Sequence, residues 1–175
     1  SQDAMQQYLE EYLEPLKMLD LKDRDETIYV LIYREEELGE ILEKEENQRL
    51  LADFDYPVTC PFCPFETLLD GALQHLVKRW ELCRFCPHEI GLFLGYPNYD
   101  VQGFIDHGGR AAMCGGYWRV FDQREKAEET FRLYDASRAY LVEGLAAGKS
   151  LPWLIQQGRI RQECIRQGRL KKRSQ

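Results

Sequence analysis

At 175 residues, with 44% hydrophobic and 12% aromatic content, the chain can bury a core without obligatory staples, so a metal or disulfide would be an addition to the fold. No apolar run approaches the roughly 18 residues of a membrane span, and the opening "SQDAMQQYLEEYLE" is acidic and amphipathic rather than a secretory signal, so the chain is read as soluble and cytoplasmic. The net charge of −7 is uneven: residues 156–175 carry seven basic side chains against Glu163, a net of +6, which leaves −13 on residues 1–155.

An acidic body argues against nonspecific nucleic-acid binding, while a basic tail can meet an acidic partner, RNA or the body itself. The simpler reading of that tail is a solvated, fraying terminal helix. A start at Ser1 rather than at methionine leaves open a processed or trimmed N-terminus and a segment missing upstream.

Along the chain, Met5, Tyr8, Leu9, Tyr12 and Leu13 recur at spacings of three and four, which predicts a helix ended or kinked by Pro15. "TIYVLIY" (Thr27 to Tyr33) is β-branched and aromatic and is the best strand in the chain. "REEELGEILEKEENQRLLADF" returns to helix with Leu38, Ile41 and Leu42 inward. A proline-punctuated loop, "DYPVTCPFCP", precedes a helix from Phe65 to about Leu82, marked by Leu68, Leu69, Ala72, His75, Leu76 and Trp80.

"CPHEIGLFLG" reads as a short buried helix with Pro87 and Glu89 in its first turn and Gly95 just past its end, although Ile90, Leu92 and Leu94 also alternate like a strand. "NYDVQGFIDHGG" is a helix stopped by glycines, and "GGYWRVFD" is a second strand. A long helix from Arg124 ends at Gly148, and Ser150 is placed to cap the last one. The expected architecture is a single helix-rich α+β domain over residues 1–155, with one small sheet containing Thr27 to Tyr33 and Gly116 to Phe121. A basic C-terminal helical tail follows over residues 156–175.

Cys60 and Cys63 form "CPFC", and Cys83 and Cys86 form "CRFC", with nineteen residues between the pairs. Two residues between cysteines let both sulfurs reach one ion, and two such knuckles supply four thiolates, so Cys60, Cys63, Cys83 and Cys86 are expected metal ligands. Zinc is the leading ion; iron or an iron–sulfur cluster uses the same thiolates. The intervening helix is an objection, because it holds the knuckles apart.

Two other readings stay open. A thiol-redox role for Cys60 with Cys63 would draw on an acidified thiol at a helix start, and buried or adventitious thiols would need no function at all. His88 could serve as base toward Cys114 in "MCGGYW", yet "HEIGL" has no second histidine four residues on and no third group is evident. His75 reads as a core histidine, and His107 as the end of its helix.

Two motifs are decoys. "GLAAGKS" has three residues between its glycines where a phosphate loop needs four, and a helix rather than a strand precedes it. The pattern from Ile90 to Gly109 has helix-turn-helix spacing, but Asn98 to His107 carries Asp100 and Asp106 and no lysine or arginine, so phosphates would repel it.

"PHEIGLFLGYP", "DVQGFIDHGG" and "CGGYWRVF" together resemble the bacterial domain-of-unknown-function family numbered 3793. The likeness runs from about Pro87 to Leu151 and includes His88, Glu89, Gly91, Gly95, Tyr96, Pro97, Asp100, Gly103, Tyr117 and Trp118. It implies no activity, and the paired C-x-x-C knuckles are not part of it. A ligand pocket is expected between the His88 helix and the "GGYWRV" strand, with His88, Glu89, Tyr117 and Trp118 as its residues. The chain is thus expected to be a metal-stabilised binding or adaptor module for a protein or small-molecule partner. The alternative is a cysteine-dependent or thiol-redox enzyme.

Overall fold

Hydrophobic alternation organises the first part of the molecule. In the computed structural model, which describes residues 16–24, 27–57 and 65–166 together with Ala4, Gln7, Tyr8, Glu11 and Leu13, strand β1 (Leu16–Arg24) pairs antiparallel with β2 (Thr27–Arg34). The register sets Leu19 opposite Leu31 and Leu21 opposite Tyr29, so one face of the hairpin carries these side chains inward. Leu21 and Leu31 are buried there, and Tyr29 packs on Trp80 with ring centroids 5.1 Å apart. Ile28 and Ile32 point the other way and stay exposed.

The acidic helical stretch is two helices rather than one, α1 (Glu35–Leu42) and α2 (Glu45–Ala52). Lys44 takes an extended conformation between them and breaks the rise. Asn47 closes the joint: its Nδ2 donates at 2.6 Å to the Ile41 carbonyl, an end-of-helix acceptor that otherwise receives the long 3.4 Å bond from the Lys44 N–H. Helix α3 (Phe65–Leu82) buries Leu69, Ala72, Leu73, Leu76 and Trp80, the three-and-four spacing expected of one apolar face. It packs on β1 and α1.

Cys83 to Glu89 then lead into the single turn α4 (Ile90–Phe93). Helix wins over strand here because Leu92 and Phe93 are both buried, which neighbouring strand residues pointing to opposite faces would not readily achieve. Gly95 adopts φ +77, and the Tyr96 N–H returns to the Gly91 carbonyl at 2.8 Å, so the chain reverses directly into α5 (Asn98–His107). Leu51, Leu76 and Leu92, from three different helices, are fully buried in the resulting core.

Beyond Gly108, itself left-handed at φ +58, a short hairpin forms from β3 (Cys114–Gly115) and β4 (Arg119–Val120). This corrects the expectation of one sheet. The strand near Thr27 pairs with β1, and the strand near Gly116 is half of its own two-stranded hairpin. The overall class is a helix-rich α+β fold.

The chain divides into two compact units, residues 1–127 and 128–175. The first contains everything described so far and the start of α6 (Arg124–Ala146). The second contains the rest of α6 and α7 (Leu151–Arg166), joined through Gly148 at φ +77. Inside it Gly144 makes room for Leu154, which is buried. Among the described residues no helix is long and apolar enough to cross a membrane.

Candidate functional site

Asp100 is the residue on which the site is built. It lies in the first turn of α5, is only 2% exposed, and spends both carboxylate oxygens on the β3–β4 hairpin. Oδ2 accepts the Trp118 indole N–H at 2.7 Å; Oδ1 accepts the backbone N–H of Phe121 at 2.6 Å and of Asp122 at 3.2 Å. Three donors on one buried carboxylate satisfy a group that would otherwise be expensive to desolvate, and they fix the hairpin against α5. The nearby Tyr99 phenol has its pKa raised by burial and by the charges of Asp100 and Asp122.

Held this way, Trp118 stacks on Tyr96 with centroids 4.9 Å apart and planes 28° from parallel. Tyr96 in turn donates its hydroxyl to the Tyr117 carbonyl at 3.3 Å. Across from them Phe104 meets the His88 ring edge-on at 4.9 Å and 82°. Between these groups lies an open cleft of about 860 Å³, walled by Phe85, Tyr96, Phe104, Tyr117 and Trp118, with His88 and Arg119 as the basic lining groups.

Three of the four expected pocket residues, His88, Tyr117 and Trp118, line this cleft, whereas Glu89 does not. Its side chain is wholly buried on other partners: Oε1 accepts from Arg79 Nε at 2.7 Å and from the Tyr56 hydroxyl at 3.3 Å. Oε2 has no hydrogen-bond partner among the described residues. The pairing raises the Arg79 pKa, chiefly through its hydrogen bond to Glu89. Burial, then the Glu89 charge and hydrogen bond, pushes the Tyr56 phenol far up. Arg79 also lies over the Phe54 ring at 5.0 Å, and His75 bonds the Phe54 carbonyl through Nε2 at 2.9 Å. Glu89 thus ties α3 to the start of α4, as a packing element.

Cys83 is half-buried and Cys86 is exposed at the cleft, while Cys60 and Cys63 lie outside the described residues. Among the described residues no three histidine, cysteine or acidic side chains converge as metal ligands. Helix α3 runs unbroken between the two pairs, about 26 Å at 1.5 Å per residue.

Cys114 is half-buried on β3 opposite Val120; it does not line the cleft, and no hydrogen bond joins its thiol to His88. The structure therefore does not bring these two into a nucleophile–base pair.

Sequence reasoning missed the roles of Arg79, Tyr56, Phe85, Phe104 and Arg119. Asp100 carried the only available signal, an acid at an inward position of α5 beside buried Val101. No curated protein and no solved structure matches the chain. The family model described as "Protein of unknown function (DUF3793)" matches residues 1–155, and the chain belongs to that family.

Proposed function

We propose that this chain is a binding module whose site is the aromatic cleft between α4, α5 and the β3–β4 hairpin. The observation that carries the reading is the combination of an opening of about 860 Å³ with aromatic walls and a buried carboxylate already committed to three donors. Such a site offers area and shape to an apolar small molecule, with the Asp100 oxygens turned to Trp118, Phe121 and Asp122. Exposed Phe85 and Tyr117 extend the walls outward.

Binding of the neutral fluorophore N-phenyl-1-naphthylamine to the full chain tests this. Micromolar binding that falls at least fivefold in Tyr117→Ala and Phe85→Ala supports the cleft; binding indifferent to both variants, or no binding, overturns it. Both side chains are exposed at their ends, so the variants should keep the wild-type stability.

Stabilisation of the module by zinc on Cys60, Cys63, Cys83 and Cys86 is a separate proposal, and α3 sets its terms. Cys63 precedes Phe65 by two residues, a reach of about 7 Å, while Cys83 follows the far end of a helix about 26 Å long. Thiolates sharing one zinc sit at about 2.3 Å from it. Both pairs can serve the same ion only if a second chain brings the missing pair.

A further inference from the structure

We infer that the ligand of this cleft is an anion: a flat apolar or aromatic body bearing a carboxylate, sulfonate or phosphate oxyanion, which Arg119 receives. The inference rests on the cleft being a binding site and adds the charge of what enters it.

Its first support is the balance of charged groups along the lining. Among the described residues the cleft has one carboxylate, Asp100, and one guanidinium, Arg119, with His88 as a further basic ring. Asp100 is turned toward Trp118, Phe121 and Asp122, whose N–H groups occupy its oxygens. Among the described residues no carboxylate forms an ion pair with Arg119, although the first 155 residues carry a net −13. Lys44, Lys78 and Arg110 are exposed without an ion pair among the described residues too, so what sets Arg119 apart is its place on the cleft lining, where an anionic ligand would complete it.

The second support is steric and independent of charge. Gly115 sits opposite Arg119 in the hairpin register, and a Cβ placed on Gly115 would come within 2.9 Å of Arg119 Nη1 and 3.5 Å of its Cζ. The guanidinium therefore lies close against β3 at Gly115, in the space that a Cβ at 115 would fill. Glycine at 115 thus gives this long side chain a place against β3 at the cleft, and a guanidinium already seated there has less ordering to lose on binding. A planar, pre-placed guanidinium suits the paired oxygens of a carboxylate, sulfonate or phosphate better than a lysine would. His88, oriented edge-on by Phe104, stands as the secondary donor.

Two probes that differ only in the anion separate this inference from the cleft reading. 8-Anilino-1-naphthalenesulfonate carries a sulfonate on the skeleton of N-phenyl-1-naphthylamine. The full chain should bind the sulfonate more tightly than its neutral twin, with an affinity that weakens as sodium chloride is raised. Arg119→Gln should lower sulfonate affinity about tenfold, at least fivefold more than it lowers the affinity for the neutral probe. Gly115→Ala, which displaces the guanidinium without removing it, should act in the same direction, and His88→Gln should have a smaller effect.

Equal binding of both probes, unmoved by salt and by Arg119→Gln, overturns the anion inference and leaves the cleft standing. Failure of both probes to bind, or binding that ignores Tyr117→Ala, overturns the two together.

Discussion

The Trp118 indole donates to Asp100 Oδ2 across 2.7 Å, joining the loop of a two-residue-stranded hairpin to the first turn of α5. So short a hairpin has little stability of its own. Its position over the cleft depends on this carboxylate. Asp100→Asn keeps the size but presents an amide N–H where the site needs an acceptor, so one donor is left facing another. The variant should lose about 2 kcal/mol of stability by urea unfolding and also lose binding of the neutral probe. Unchanged stability would mean that the hairpin is held by something else.

Gly103 faces Phe121, whose Cβ would stand 2.8 Å from a Cβ added to the glycine. Alanine at an ordinary helical glycine stabilises by up to about 1 kcal/mol. Here the sign should reverse, with Gly103→Ala destabilising by about 1–3 kcal/mol as Phe121 is driven off α5. Gly91→Ala, which would crowd Val101 Cγ2 at 2.8 Å, should behave alike. Thermal unfolding of both variants checks this; a raised Tm at either position would show that the close approach relaxes freely.

The sign reversal also marks what a sequence can and cannot disclose. The apolar spacing of α3 and the glycine stops after α5 and α6 are local signals, and each fell where spacing placed it. The location of the cleft was legible because His88, Tyr117 and Trp118 sit in blocks whose order along the chain implies a helix facing a strand. Strand β1 was missed although Leu19-Asp20-Leu21-Lys22 alternates, because the run begins beside Pro15 and reads equally as the end of a helix.

Glu89 shows the other limit. Its partners Arg79 and Tyr56 lie 10 and 33 residues away, and nothing in "PHEIG" states whether a glutamate at a helix start turns outward to water or inward to an arginine. Arg119 depends likewise on a glycine across the hairpin, a relation that exists only once the register is set.

Tyr56 predicts an alkaline instability. Its phenol is held protonated by burial and by the Glu89 carboxylate, so its pKa in the folded state lies well above the unfolded value of about 10. Keeping the neutral phenol contributes stability that is fully present below about pH 10 and is lost as pH rises beyond it, because the unfolded chain releases the proton and the folded chain does not.

The dependence from this one group approaches about 1.4 kcal/mol per pH unit. Tyr33, raised mainly by burial, contributes in the same direction. Urea unfolding between pH 9 and 11 should show stability falling with pH, and Tyr56→Phe should flatten the fall. It should also cost about 1 kcal/mol at neutral pH, for the hydrogen bond to Glu89. An unaltered slope in Tyr56→Phe would mean that this tyrosine titrates freely.

Zinc content and chain association should move together. Along one chain, α3 sets Cys83 about 26 Å from Phe65, and the two-residue step back to Cys63 recovers about 7 Å at most, which leaves roughly 19 Å between residues that would have to meet at a single ion. If protein purified from zinc-supplemented cells is separated by size, tightly held zinc coordinated by four thiolates should appear in a dimeric fraction, and Cys83→Ser with Cys86→Ser should abolish both the metal and the dimer. Monomer should carry less than about a tenth of an equivalent and leave its thiols open to alkylation, since two thiolates alone do not complete a closed tetrahedral site. A monomer holding one zinc with four protected thiols would require α3 to break, and amide hydrogen exchange across residues 65–82 would then show a fast-exchanging interruption in place of continuous helical protection.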